Sequence, residues 1–159
     1  MRKLLPLFLL FGLLFGCTVT KQYSVDKEAT YSFDDQITLR ILDIKEISRV
    51  AVGNGSYYPK KGFKFFEMTV EAKNNSDEKA QLKWEKLFVL DTVNRVRYAP
   101  EFVMSSSGFN IGGRYNRPLK AQDVVSKRLI YSIQKEVKTE FFGINGTIYS
   151  IPHYEVKKY

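Results

Sequence analysis

The sequence predicts an all-β protein, an immunoglobulin-like antiparallel β-sandwich over residues 31–159, and three observations lead to this fold class. Short stretches that suit β-strands recur roughly every 8–12 residues. Turn-forming residues separate these stretches. No segment of helix length carries apolar residues at every third or fourth position. A sandwich is the usual fold of a chain with this pattern.

The first half of the domain contains the clearest predicted strand. Residues 37–41 alternate apolar and polar side chains, as a half-buried strand does. Residues 50–61 are rich in Gly, Asn and Pro and predict a loop or hairpin connection. Residues 66–73 alternate throughout, and the turn formers of residues 74–77 follow. The predicted inner face of this strand consists of Phe66, Met68, Val70 and Ala72.

The second half of the chain repeats the same pattern of strands and turns. Its predicted strands lie within residues 82–90, 96–98, 124–133, 141–142 and 148–151. Residues 91–94 and the pair Asn145-Gly146 predict turns between them. Trp84 is the sole tryptophan, and we expect it in the core because a buried Trp is frequent in immunoglobulin-like domains.

The first 17 residues resemble the signal of a bacterial lipoprotein. Two basic residues precede an apolar run over residues 4–16, and Cys17, the only cysteine, follows Gly16 directly. The run is shorter than the roughly 20 residues of a membrane-spanning helix. The resemblance to a lipobox implies that the Cys17 thiol carries diacylglycerol and that the signal is cut before it. The alternative is an ordinary signal peptide followed by a free thiol.

This pattern predicts three regions and an address. Residues 1–16 are the predicted signal peptide, residues 17–30 the lipidated cysteine with a flexible tether, and residues 31–159 the domain. The predicted location is the bacterial cell envelope, with the lipid on Cys17 in a membrane. Because Thr18 and not aspartate follows the cysteine, the outer membrane is expected in a Gram-negative host, and otherwise the outer face of the cell membrane.

The net charge of +8 is carried by basic residues in small, scattered clusters. Such charge favours anionic surfaces, including phospholipid headgroups and envelope polymers, and the alternative is that it only keeps the protein soluble. Nucleic acid is not an expected partner, because no nucleic-acid-binding motif is present.

Residues 62–98 resemble a known family. The strand and Asn-rich turn of residues 66–77, the segment 88–91, the pair Arg97-Tyr98 and the later strand 129–133 are similar to telokin-like domains. These immunoglobulin-fold domains of unknown function are common in bacterial lipoproteins. The resemblance implies a fold and an address but no established activity.

Catalytic and metal-binding patterns are sparse, so the sequence predicts no enzyme, cofactor or metal site. His153 is the only histidine, and no carboxylate cluster has the spacing of metal ligands. The serines at 105–107 lack the Gly-x-Ser-x-Gly pattern of a nucleophile elbow.

Two segments are candidate partner-binding sites. Residues 105–118 form a glycine-rich stretch without strand pattern, and long loops of this kind are usually functional or disordered. Arg and Tyr are enriched at binding hot spots, and this stretch contains Arg114, Tyr115 and Arg117. The alternative is a loop whose Tyr only covers the core edge. Tyr57 and Tyr58, beside Lys60-Lys61, form a second group, which either joins the first or packs against the sheet.

These observations predict a lipid-anchored, non-enzymatic binding or accessory module of the bacterial envelope, which contacts an envelope protein through its loops. The alternative from another class is a charge-driven binder of anionic envelope polymers or a surface-adhesion factor. A third interpretation is a spacer domain without a ligand of its own.

Overall fold

The computed structural model describes residues 19–52, 54–106 and 118–150, together with the backbone of Tyr154–Lys158. The described chain is nearly all strand, with a single 3-10 turn at Trp84–Lys86. The strands are β1 (Val19–Ser24), β2 (Thr30–Ser32), β3 (Ile37–Ile47), β4 (Val50–Val52), β5 (Gly55–Tyr57), β6 (Phe63–Asn74), β7 (Leu87–Asp91), β8 (Val96–Tyr98), β9 (Phe102–Ser105), β10 (Val124–Gln134), β11 (Phe141–Ile144), β12 (Thr147–Ser150) and β13 (Tyr154–Lys158). The all-β class is confirmed.

The strands form two principal antiparallel sheets and a hairpin. The main sheet has seven strands in the order β13-β1-β3-β6-β10-β9, and β2 pairs with β3 beside this path. The small sheet has the order β12-β11-β7-β8. Strands β4 and β5 pair only with each other, as the predicted hairpin connection between β3 and β6.

The core lies between the two sheets. Strands β3, β6 and β10 contribute side chains from the main sheet, and β7 and β11 contribute them from the small one. The predicted inner face of β6 is confirmed, because Phe66, Met68, Val70 and Ala72 are all buried there. Trp84 is buried in the same core, as expected from the sequence.

A second apolar cluster covers part of the outer face of the main sheet. Phe65 and Ile130 face away from the sandwich core, because successive strand residues point to opposite faces. Val50 of the hairpin, Ile47 and Met104 bury them. The hairpin therefore covers part of the outer face of β6 and β10.

The predicted flexible tether over residues 17–30 is corrected by the structure. Strand β1 covers residues 19–24 and pairs with both β3 and β13, and Tyr23 is only 4% exposed. The polar composition of this segment misled the prediction, because a strand between two neighbours is held by backbone hydrogen bonds and needs few apolar side chains. The folded domain thus includes residues 19–24 and does not start at residue 31, while Cys17 lies outside the described residues.

The long strands define two ends of the main sheet. Val19 pairs with Ile47, and Phe63 pairs with Gln134, so β1 begins where β3 and β10 finish; we call this the proximal end. Ile37 pairs with Asn74 at the opposite, distal end. The connections over residues 48–62 and 135–140 lie at the proximal end, and those over residues 25–36, 75–86 and 119–123 at the distal end.

Candidate functional site

The glycine-rich candidate loop is flanked by residues at the distal half of the sheet. Residues 107–117, which include Arg114, Tyr115 and Arg117, lie outside the described residues. Before them, β9 ends at Ser105. After them, Leu119 forms a β-bridge with Ala80 at the distal end. The chain therefore leaves β9 for this segment and returns at the end of the sheet opposite to Val19.

Tyr57 and Tyr58 are on the hairpin side of the proximal connection. Their exposed fractions are 51% and 66%, which leaves most of the Tyr58 ring in solvent. The Tyr57 ring also packs against Phe102, with 5.5 Å between ring centroids. Tyr57 thus packs against the sheet, which is one of the two alternatives that the sequence left open, while about half of its surface stays exposed.

The structure gathers lysines at the proximal end that are far apart in the sequence. We call them the lysine cluster: Lys21, Lys60, Lys61, Lys64, Lys135 and Lys138. They line two grooves of about 380 Å³ and about 540 Å³, which share Lys64 and Lys135. Sequence reasoning identified only the pair Lys60-Lys61, because the strand register brings the others together.

At this end, the carboxylate of Glu46 forms an ion pair with one lysine of the cluster. Its Oε1 accepts hydrogen bonds from the Tyr23 hydroxyl at 2.6 Å and from Lys64 Nζ at 2.8 Å. Burial alone would raise the pKa of Glu46, but the hydrogen bonds from Lys64 and Tyr23 outweigh it and lower that pKa. The pKa of Tyr23 is raised, first by burial and then by its bond to Glu46. Glu46 therefore neutralises Lys64 and leaves the outer lysines unmatched.

The outer lysines of the cluster are free of ion pairs within the described chain. Lys60, Lys61, Lys135 and Lys138 are exposed, and no carboxylate of a described residue lies within 4.0 Å of them. Two further carboxylates, Glu136 and Glu140, line one of the grooves. Lysines outnumber carboxylates in both grooves, so the lining of this end is net positive.

The distal end has the opposite balance. Among the described residues of the distal connections, the basic side chains are Lys27, Lys79, Lys83, Lys86 and Lys120. The acidic side chains there are Asp26, Glu28, Asp34, Asp35, Asp77, Glu78, Glu85 and Asp123. Within the described connections, positive charge therefore predominates at the end where β1 begins, and negative charge at the opposite end.

A buried ion pair on the outer face of the main sheet has a structural role. Glu67 is 1% exposed, and its carboxylate accepts a hydrogen bond of 2.9 Å from Arg128 Nε. Lys45 Nζ lies 3.1 Å from the same oxygen of Glu67. The hydrogen bond to Glu67 raises the pKa of Arg128. Arg128 is thus paired with Glu67 on the outer face of the main sheet.

A third groove, of about 550 Å³, lies on the outer face toward the distal end. Arg40 and Glu71 face each other in it, with 2.7 Å between Arg40 Nη2 and Glu71 Oε1. Lys73 is the other charged residue of the lining. Because Arg40 is already paired with Glu71, this groove has less free positive charge than the proximal end.

The described residues show no constellation with obvious chemistry. Among them, no group of three or more His, Cys, Asp or Glu side chains is placed to hold a metal ion. His153 lies outside the described residues. In the part of the chain that the structure describes, no helix has the length and apolar character needed to cross a membrane.

Comparison with known proteins shows the fold alone. No protein-family model matches the chain, and no curated protein matches it in sequence. A conserved hypothetical protein from Bacillus anthracis has a similar structure, with a TM-score of 0.65 and 17% identity over 84% of this chain and 99% of its own. An uncharacterized beta-sandwich protein from Clostridium difficile has a TM-score of 0.52 and 15% identity, over 79% of this chain and 89% of its own. The chain is therefore a β-sandwich similar to conserved proteins without an assigned activity.

Proposed function

We propose that this protein is a lipid-anchored, non-enzymatic binding module of the bacterial cell envelope, related to the telokin-like lipoprotein domains. The observation that carries the proposal is the position of Val19 at the start of a paired strand, two residues after Cys17. A lipid on Cys17 would hold the proximal end of the sandwich against the membrane and turn the distal end outward. The domain would then lie close to the membrane, without a long flexible linker between it and the lipid.

The N-terminal sequence supports the anchor. A basic start, a short apolar run and a lone cysteine after Gly16 form the order of a lipoprotein signal. A single acyl chain binds a membrane only marginally, whereas two or more hold a protein stably. Diacylglycerol on the thiol meets that requirement without a membrane-spanning segment.

The placement of the candidate loop supports protein binding at the outward end. The chain on either side of residues 107–117 joins the sheet toward its distal end, remote from Val19. Arg114, Tyr115 and Arg117 in this segment have the chemistry of hot-spot residues. The partner in this proposal is another envelope protein, reached across the space above the membrane.

Lipidation is tested by growing cells with an alkyne-bearing fatty acid and comparing the wild type with Cys17→Ala. The expected result is label on the wild type in the membrane fraction, and an unlabelled Cys17→Ala chain that has a longer, uncut N-terminus. A wild type without label would remove the anchor from the proposal.

Partner binding is tested by crosslinking in cells, followed by a pull-down. The triple variant Arg114→Ala/Tyr115→Ala/Arg117→Ala should lose one protein band that the wild type captures. Tyr57→Ala/Tyr58→Ala tests the second candidate group, at the other end, and should keep the band. Equal bands from all three proteins would exclude this loop as the docking site.

The second candidate function is binding of anionic envelope polymers, which the lysine cluster favours. Salt separates the two candidates, because screening weakens exposed charge contacts far more than a packed hot spot. Capture of a partner that persists at high salt supports the binding module, and capture of polymer that disappears supports the alternative.

A further inference from the structure

We propose that the lysine cluster is a membrane-docking face, which binds the headgroups of anionic phospholipids and fixes the orientation of the sandwich. This inference rests on the lipid anchor proposed at Cys17. It adds a second contact between the protein and the bilayer, made by the folded domain and not by the lipid.

The first argument is distance. Two peptide units separate Cys17 from Val19, so their Cα atoms are at most about 7 Å apart whatever the conformation. Val19 begins β1 at the proximal end, and Thr20 lines the larger lysine groove. A lipid inserted in the bilayer at Cys17 therefore brings this end of the sandwich down to the headgroups.

The second argument is charge complementarity. Lys60, Lys61, Lys135 and Lys138 are exposed at this end and pair with no carboxylate of a described residue. The Debye length is about 8–10 Å at ordinary salt, so charges held this close to the headgroups are not screened away. A lysine near an anionic leaflet contributes about a fivefold gain in binding.

The third argument is the aromatic residue beside the lysines. Tyr58 is 66% exposed and is followed by Pro59, Lys60 and Lys61 in the proximal connection. Tyrosine is enriched at membrane interfaces, because its ring is apolar and its hydroxyl stays hydrated. Tyr58 thus adds an interfacial contact next to the charged one.

The charge balance of the described connections supports the same orientation. The described distal connections are rich in Asp and Glu, so an anionic bilayer repels them while it attracts the lysine cluster. The cluster is also supplied by four separate segments: β1, the connection 48–62, β6 and the segment 135–140. Single charges distributed along one end suit a surface of many headgroups better than one bound molecule.

The test is lysine footprinting of the full-length protein, purified from its host in processed form and reconstituted in vesicles. Acetylation of each lysine is followed by mass spectrometry on phosphatidylcholine vesicles with and without 30% phosphatidylglycerol. The expected result is a severalfold slower acetylation of Lys60, Lys61 and Lys135 on the anionic vesicles, reversed by high salt. Lys79, Lys83 and Lys120 at the distal end are the internal controls and should not change.

Two charge-reversal variants, each with three substitutions, test whether the lysine cluster causes the difference between the vesicles. Lys60→Glu/Lys61→Glu/Lys135→Glu should abolish the difference between the two kinds of vesicle in the acetylation of Lys138, the exposed lysine of the cluster that this variant keeps. The matched control Lys79→Glu/Lys83→Glu/Lys120→Glu should keep it. Equal acetylation on both vesicles, or equal protection at both ends of the wild type, would overturn the docking face.

Two further conditions show which kind of anionic ligand the lysine cluster binds. Inorganic phosphate, added to the protein in detergent without vesicles, should leave acetylation unchanged. Teichoic acid or another soluble anionic polymer should protect less than anionic vesicles do. If phosphate fully protects the cluster lysines from acetylation, the cluster is a discrete anion site and not a membrane-docking face. If only the polymer fully protects them, the cluster binds polymer.

The mass of the N-terminal peptide in the same experiment separates this inference from the proposed function. A peptide that begins at Cys17 and carries lipid supports the anchor, whatever the lysines show. A peptide without lipid removes the anchor and, with it, the argument from distance, so the docking face fails unless Lys60, Lys61 and Lys135 are still protected on anionic vesicles.

Discussion

Tyr23 donates a hydrogen bond of 2.6 Å to Oε1 of Glu46 and so joins the first strand of the domain to the third. The Tyr23 ring also meets Phe66 edge-on, with 5.9 Å between centroids, and Lys21 Nζ lies 4.9 Å from its centre. One side chain therefore ties the N-terminal residues to the apolar core and to the polar network of the proximal end. This contact is the clearest reason why residues 19–24 belong to the domain.

We predict that Tyr23→Ala lowers the free energy of unfolding by about 3 kcal/mol, because it removes a buried aromatic ring. Urea denaturation of the full chain, followed by circular dichroism, measures the change. Tyr58→Ala is the matched control and should stay within about 0.5 kcal/mol of the wild type, since its ring is mostly exposed. Equal stability of Tyr23→Ala and Tyr58→Ala would contradict the packing of β1.

We predict that Glu46 makes the domain sensitive to acid. Its pKa is lowered in the folded state, so its stabilising effect is complete above the unfolded value of about 4.3 and is lost as the pH falls through the folded value. Melting temperatures of the wild type and Glu46→Gln should therefore converge as the pH is lowered from 7 to 3. Glu136→Gln, which removes an exposed carboxylate in the same groove, is the control for the change in net charge.

We predict that Arg128→Ala is far more costly than Arg40→Ala. The first change leaves the buried Glu67 carboxylate without its main partner, at a cost of about 3 kcal/mol. The second breaks a more exposed pair with Glu71, worth about 1 kcal/mol or less. Chemical denaturation of both variants measures the difference, and similar costs would show that Glu67 reaches water when Arg128 is removed.

We predict that Gly143→Ala destabilises the small sheet. Gly143 pairs with Phe88 across β7 and β11, and a Cβ at residue 143 would come within 2.0 Å of the Phe88 ring. The expected cost of moving that ring is about 1–3 kcal/mol. Gly55→Ala is the control, because its new Cβ would meet only the Val52 carbonyl oxygen at 3.7 Å.

Further variants can show whether the Phe88 ring causes the destabilisation by Gly143→Ala. Arg97 lies over the Phe88 ring at 4.8 Å, which restricts the ring's movement. The cost of Gly143→Ala should therefore be smaller in a Phe88→Leu background, where the ring is absent. An unchanged cost in that background would assign the effect to the backbone and not to the ring.

Sequence patterns found the strands that have one strongly apolar face, and missed those that do not. Residues 66–73 and 124–133 alternate clearly, and both lie in the long central strands β6 and β10. Strands β1 and β13 have mixed, polar sequences and went unpredicted, as did the short β9. For β1 and β13, pairing with neighbouring strands compensates for the weak apolar pattern, whereas β9 is too short to show one.

Side chains that depend on tertiary structure were also beyond sequence reasoning. Glu67 occupies an alternating position that predicts a solvent-facing carboxylate, yet it is buried beside Arg128 on the outer face. The lysine cluster is invisible in the sequence for a similar reason. Lys21, Lys64 and Lys135 meet only because antiparallel pairing brings one end of each of β1, β6 and β10 together.

The position of β1 inside the main sheet also determines how the domain would carry mechanical load. Backbone hydrogen bonds hold β1 to β3 on one side and to β13 on the other. A pull on a lipid at Cys17 would act along the strand, so both ladders resist in shear and break together, whereas an edge strand pulled sideways unzips one bond at a time. With the proposed lipid at Cys17, this arrangement would let the sandwich resist unfolding under a force applied to its first strand.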